Sequence, residues 1–128
     1  NCTLAAQDAM KGRPGASIVN ISSLAAYGAP TAYGVSKLAV QGVTMTSAGE
    51  LGQFGIRVNA IAPGLIFTDT IRAELSPAVV EMVMARQAIP QEGVERDIVE
   101  AMLYLVSDRA SFVTGETIRV SGGVSMHV

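Results

Sequence analysis

Two short stretches of the 128-residue chain hold side chains whose types and spacing suit proton transfer. Ile21-Ser22-Ser23 is followed, ten positions after Ser23, by Tyr33-Gly34-Val35-Ser36-Lys37. Tyr33 and Lys37 are four apart, and on a helix such a pair shares one face. A lysine cation beside a phenol favours the phenolate, drawing a pKa ordinarily about 10 toward a working range. Tyr33 is therefore a candidate general acid and base. A serine at the end of the preceding strand can meet the same point and hydrogen-bond an oxygen that gains or loses a proton. With so few tyrosines and lysines, some Tyr-x-x-x-Lys arises by chance about one time in twenty. The structural alternative is an exposed pair in which Lys37 covers the Tyr33 ring. Order weighs against chance: strand, Ser-Ser, loop, Tyr-x-x-x-Lys on a helix, strand, Pro-Gly.

The elements that must position these residues alternate along the chain. Residues 3 to 11 read as the end of a helix, stopped by Gly12, Pro14 and Gly15. Ser17 to Ser22 is a short β-branched run suited to a buried strand. Residues 31 to 53 form a long helical stretch, with Thr31 as N-cap and Gly55 as stop. Ile56 to Ala62 is a second strand, ended by Pro63-Gly64. After an irregular stretch, Ser76-Pro77 starts a helix that runs to about Gln87, its register set by Val79, Val80, Val83 and Met84. Residues 95 to 107 place Ile98, Val99, Met102, Leu103 and Val106 on one face, as in a helix lying on a sheet. Thr117 to Val120 is a third strand, closed by Gly122-Gly123. Strands separated by helices imply parallel pairing, so the class is α/β. Three strands are few for a parallel sheet, which predicts that further strands belong to it.

Composition narrows the function. A net charge of -2 without a basic run argues against nucleic acid. Short, interrupted apolar runs argue against a membrane span, and 49% hydrophobic residues argue against disorder. One cysteine, Cys2, and one histidine, His127, cannot build a disulfide or a metal cage, and point to a reducing, cytoplasmic setting. Both read as a helix residue and a tail residue without a role.

The stretches SIVNISS, AYGVSK, GIRVNAIAPGLIFTDT and LVSDRASFVTGETIRVSGG together resemble the short-chain dehydrogenase/reductase family over nearly the whole chain. The resemblance implies the C-terminal half of a doubly wound, Rossmann-like parallel sheet. Residues 1–128 would be the C-terminal part of one NAD(P)-binding domain. The activity implied is hydride transfer between nicotinamide, as NAD or NADP, and the carbonyl or secondary alcohol carbon of a small molecule. A 3-oxoacyl substrate is the commonest analogy. By the same resemblance Tyr33 is the acid/base, Lys37 tunes it and holds the nicotinamide ribose, and Ser23 rather than Ser22 polarises the substrate oxygen. Pro63, Gly64, the Ile66 backbone and the Thr68 hydroxyl match positions that face the nicotinamide, its carboxamide or the adjacent phosphates. Residues 69 to 91 match a substrate-side lid, with Met82, Met84 and Ile89 either lining a pocket or filling core, and Tyr27 and Pro30 either facing substrate or packing within their loop. Members form dimers or tetramers, which places residues 3 to 10 and 32 to 51 at an interface.

Several family features lie outside the sequence. The TGxxxGxG phosphate loop, the NNAG segment and the residue that separates NAD from NADP are absent. Asn1 is not the family's catalytic asparagine, which belongs about six residues earlier. The chain alone is therefore expected to be inactive, and a non-catalytic remnant acting through association with other chains is the alternative reading. The step from Ser23 to Tyr33 is shorter than the family's usual spacing, which predicts a more open pocket. Val120-Ser121-Gly122-Gly123 replaces the usual Val-Asp-Gly-Gly.

Overall fold

A computed structural model describes residues 2–124; Asn1 and His127 lie outside the described residues. Three parallel strands form one sheet in the order β1 (Ser17–Ile21), β2 (Arg57–Pro63), β3 (Thr117–Val120). Ile21 stands opposite Ile61, and Pro63 opposite Val120, so all three strands point their carboxyl ends to one edge. The middle of β2, from Val58 to Ala62, is buried throughout. A strand covered on both faces has no need of polar alternation, which is why IRVNAIA reads as a nearly continuous apolar run.

Helix α2 (Ala32–Leu51) covers one face of the sheet. Its Ala48 and Leu51 pack with Ile56 and Val58, and Met10, Ala16, Ile18 and Phe54 close around them. Met10 ends α1 (Cys2–Met10), a helix with no buried residue. Helix α5 (Glu95–Val106) crosses the other face and touches all three strands. No helix among the described residues is long and apolar enough to cross a membrane.

Polar ties fasten the amino end of the sheet. The Arg57 guanidinium donates to the carbonyls of Leu105 at 2.7 Å, Ser107 at 3.3 Å and Val113 at 3.5 Å. A cation there satisfies acceptors that the last turn of α5 leaves open and opposes the negative end of its dipole. Fully buried Asn59 donates to the Val113 carbonyl at 2.9 Å and accepts the Glu116 N–H at 3.1 Å, fixing the loop that feeds β3.

Three expectations are corrected. The stretch after Gly64 contains α3 (Asp69–Glu74), started by Thr68, whose Oγ1 accepts the Ile71 N–H at 3.2 Å. Six residues are too few to show a helical period. Helix α4 spans Pro77–Met84, with Ser76 at the N-cap by backbone geometry and no side-chain capping bond; it stops three residues before Gln87, whose side chain bonds the Ile89 and Gln91 carbonyls. On α5, only Leu105 is buried, whereas Val99, Met102, Leu103 and Val106 are exposed. The seam facing the sheet runs through Ile98, Ala101 and Leu105, and the more hydrophobic stripe beside it stays uncovered.

Candidate active site

The carboxyl edge of β1 carries the two serines, and their environments differ. Ser22 is fully buried and donates its backbone N–H to the Ile61 carbonyl at 2.8 Å, prolonging the ladder. Its hydroxyl donates to the Lys37 carbonyl at 2.9 Å and accepts from Gln41 Nε2 at 3.2 Å, pinning α2 to the strand end. Ser23 is half-buried. Its Oγ accepts the Ala25 N–H at 3.2 Å and caps a single 3₁₀ turn, Leu24–Tyr27. That bond uses one lone pair and leaves the Ser23 O–H to donate.

Thr31 Oγ1 accepts the Gly34 N–H at 3.0 Å and starts α2, so Tyr33 sits in its first turn and Lys37 one turn on. Gly34 is buried against the preceding loop. A Cβ there would clash with the Ala29 carbonyl oxygen and come within 2.9 Å of that of Ala25. The glycine thus lets the 3₁₀ turn fold back on the helix start, bringing Ser23 toward Tyr33. Tyr33 is 56% exposed. Lys37 Nζ donates to the Ile21 carbonyl at 3.1 Å and lies 5.6 Å from the centroid of the Tyr33 ring. The ammonium is therefore held between the strand end and the phenol.

Beyond β2, Gly64 donates its N–H to the Val120 carbonyl at 2.8 Å, and a Cβ on it would lie 2.8 Å from the Ser121 backbone and Cβ. Close packing on Ser121 is what first requires a glycine here. Ile66 forms an isolated parallel bridge with Gly93, and Phe67 donates its N–H to the Gly93 carbonyl at 2.8 Å, which anchors the turn to the segment before α5.

These elements border a cavity of about 520 Å³ whose wall includes Ser23, Tyr33, Lys37, Pro63, Gly64, Ile66 and Thr68, the catalytic and cofactor-side candidates of the sequence. Ile21, Ser22 and Leu65 join them from the strand end and the turn, and Ile71, Glu95, Ile98 and Val99 complete the wall from α3 and α5. Sequence reasoning missed Ile71, Ile98 and Val99 because an apolar helix residue reads as core whether it faces a sheet or a cavity, and Glu95 because an acidic residue in a first helical turn reads as a solvated end. The substrate-side candidates separate. Tyr27 lines a neighbouring groove with Val83 and Arg86, and Pro30 lines another with Leu38. Ile89 lines a third cavity behind Leu65 and Ile66, while Met82 and Met84 line none of these walls. Arg72 and Glu92 pair at 2.6 Å across the segment after α4, and this hydrogen bond holds the Glu92 carboxyl below its ordinary pKa.

Chemically, the cavity offers a phenol, a hydroxyl donor and an ammonium on one side and, on the other, a strand-ending turn with walls that are apolar apart from Thr68 and Glu95. It sits outside the carboxyl ends of parallel strands, where open α/β sheets bind ligands.

A family model described as Enoyl-(Acyl carrier protein) reductase matches residues 1–125. The chain is 45% identical over 125 residues to a 3alpha-hydroxysteroid dehydrogenase of Mediterraneibacter gnavus, covering 95% of this chain and 50% of that protein. It is 37% identical over 129 residues to a 3-oxoacyl-acyl-carrier-protein reductase of Staphylococcus aureus, covering 98% and 52%. The structure of a short-chain type dehydrogenase/reductase from Mycobacterium ulcerans superposes with a TM-score of 0.86 at 40% identity, over 93% of this chain and 45% of that one. The chain thus spans about half the length of the curated relatives it matches.

Proposed function

Because the chain belongs to the short-chain dehydrogenase/reductase family, we propose that it forms the catalytic, C-terminal half of an NAD(P)-dependent oxidoreductase acting on a small carbonyl or secondary alcohol. The observation that carries this reading is the gathering of Ser23, Tyr33 and Lys37 with the 63–68 turn around one cavity. Solved neighbours include a 7 alpha-hydroxysteroid dehydrogenase complexed with NADH and a 2-deoxy-d-gluconate 3-dehydrogenase with bound NADP, which supports a nicotinamide dinucleotide here. The wall fits the nicotinamide end: Pro63, Leu65 and Ile66 offer apolar surface to a flat ring, and the Thr68 hydroxyl keeps a proton to donate while capping α3. When bound, that group supplies or accepts the hydride.

The chain's own residues handle the proton. In reduction, the Tyr33 hydroxyl gives its proton to the substrate oxygen, and in oxidation it takes one back. Ser23 donates a hydrogen bond to the same oxygen as its charge changes. Lys37, fixed by the Ile21 carbonyl, sets a positive charge beside the phenolate left when the proton departs. Its ammonium also has donors left for the ribose. Tyr33→Phe in the complete enzyme should remove nearly all turnover while cofactor binding persists. Near-normal activity with an unchanged pH profile would overturn the assignment.

The dinucleotide phosphates would be bound by residues outside this sequence, so the chain alone is inactive in this reading. Exposed Leu4 on α1 and Val35, Leu38 and Met45 on α2 leave an apolar face suited to assembly into dimers or tetramers. A second reading, a non-catalytic remnant that acts by association, is favoured by the half-length coverage. Calorimetric titration of the 128-residue chain with NADH and NADPH distinguishes the two, since saturable micromolar binding would exclude the remnant.

A further inference from the structure

The 3₁₀ turn Leu24–Tyr27 has two sides. Ser23, at its start, opens on the main cavity, whereas Leu24, Ala25 and Tyr27 line a groove of about 550 Å³ shared with Val83 and Arg86. On β3, Arg119 holds its guanidinium carbon 5.3 Å from the centroid of the Tyr27 ring. No carboxylate lines the groove among the described residues. The other cations of the fold are mostly committed: Arg72 and Arg96 pair with Glu92 and Glu100, and Arg57 serves three carbonyls. Arg86 and Arg119, like Arg13 and Arg109 elsewhere on the fold, form no ion pair among the described residues. Arg86, with no ion pair among the described residues, thus lines the groove together with Tyr27, and Arg119, equally without one, lies against the Tyr27 ring, close along the chain to the candidate catalytic serine.

Guanidinium groups recognise carboxylates and phosphates through paired, charge-assisted hydrogen bonds, and an aromatic and aliphatic wall shelters the methylene chain that carries such a group. A 3₁₀ helix rises about 2 Å per residue, so Tyr27 lies about 8 Å along the turn from Ser23. We propose that this groove is the subsite for an anionic group of the substrate, read by Arg86 and Arg119. The compound that reacts at Ser23 and Tyr33 is then an oxo or hydroxy compound bearing a carboxylate or phosphate monoester several carbons from the reacting centre. This rests on the oxidoreductase reading and adds the substrate's charge and its placement.

The test compares kcat/KM of the complete enzyme, with its nicotinamide cofactor, across straight-chain methyl-ketone acids of increasing length, their methyl esters and the matching alkyl phosphates. Acids or phosphates of intermediate length should exceed the esters by about tenfold or more, and the better of the two identifies the anion. Arg86→Ala, a change at an exposed position, should shrink that preference by about tenfold, mainly through KM, with Arg86→Lys intermediate. Calorimetry on Tyr33→Phe reads the subsite without chemistry. Anions that bind there more tightly than esters, in an enzyme that turns over neither, would leave the subsite standing and refute the oxidoreductase reading. Equal handling of acids, phosphates and esters in both assays, or an equal loss on all of them in Arg86→Ala, would overturn the subsite.

Discussion

Three glycines on α2 give a test of the turn that brings Ser23 to Tyr33. Replacing glycine by alanine in an open helix position gains about 1 kcal/mol through backbone entropy. Gly42 and Gly49 have no atom within 4 Å of an added Cβ, so Gly42→Ala and Gly49→Ala should each stabilise the fold by about 0.5–1 kcal/mol. Gly34→Ala carries a similar or smaller gain, but its methyl meets two backbone carbonyls, one of them at 2.9 Å. The Ala25 carbonyl already accepts the Ala29 N–H at 3.1 Å, so it cannot retreat without breaking that bond. Overpacking of this kind costs about 1–3 kcal/mol, giving a net loss of about 1–2 kcal/mol and a gap of about 2 kcal/mol from the two controls. Urea unfolding followed by far-ultraviolet circular dichroism resolves it as a midpoint difference of about 1 M. If Gly34→Ala unfolds at the same midpoint as Gly42→Ala, the loop yields freely and the steric reasoning is wrong.

Ser22→Ala should cost about 2–3 kcal/mol in the same unfolding assay, because Gln41 Nε2 and the Lys37 carbonyl lose a buried partner. Ser23→Ala should cost only about 1 kcal/mol, the value of a cap. Arg57→Met should cost about 2–4 kcal/mol by stranding carbonyls at the end of α5, visible as a lower urea midpoint. The Arg72–Glu92 pair should respond to acid. A depressed carboxyl pKa means the attraction is present above the ordinary carboxylate range and is lost as pH falls through the lowered value. Amide exchange in residues 85–92, corrected for intrinsic rates, should therefore quicken at low pH, and Glu92→Gln should abolish that dependence.

The candidate site was legible in large part because its signals are local. Thr31 as cap, Tyr33 and Lys37 one turn apart, and Pro63-Gly64 after a buried strand all depend on neighbours within a few residues. The choice of Ser23 over Ser22 rests on the resemblance alone; both serines line the cavity, the Ser22 hydroxyl engaged by the Lys37 carbonyl and Gln41 and the Ser23 hydroxyl accepting only the Ala25 N–H among the described residues. Other features depend on partners far along the chain. Nothing near Gly64 announces Ser121, and nothing near Arg57 announces the carbonyls of Leu105 and Ser107. On α5, periodicity favoured the most hydrophobic stripe, whereas the sheet takes the neighbouring one through Leu105.

The ties at Arg57 and Asn59 give the sheet a heel, and Ser22, Lys37 and Gly64 fasten the opposite tips of its strands. Residues 65 to 92 supply none of these ties. Drift in residues 65 to 92 can then reshape what enters the cavity without loosening the frame. A lineage carrying this half could exchange one ligand for another by altering that segment alone, with the heel inherited intact.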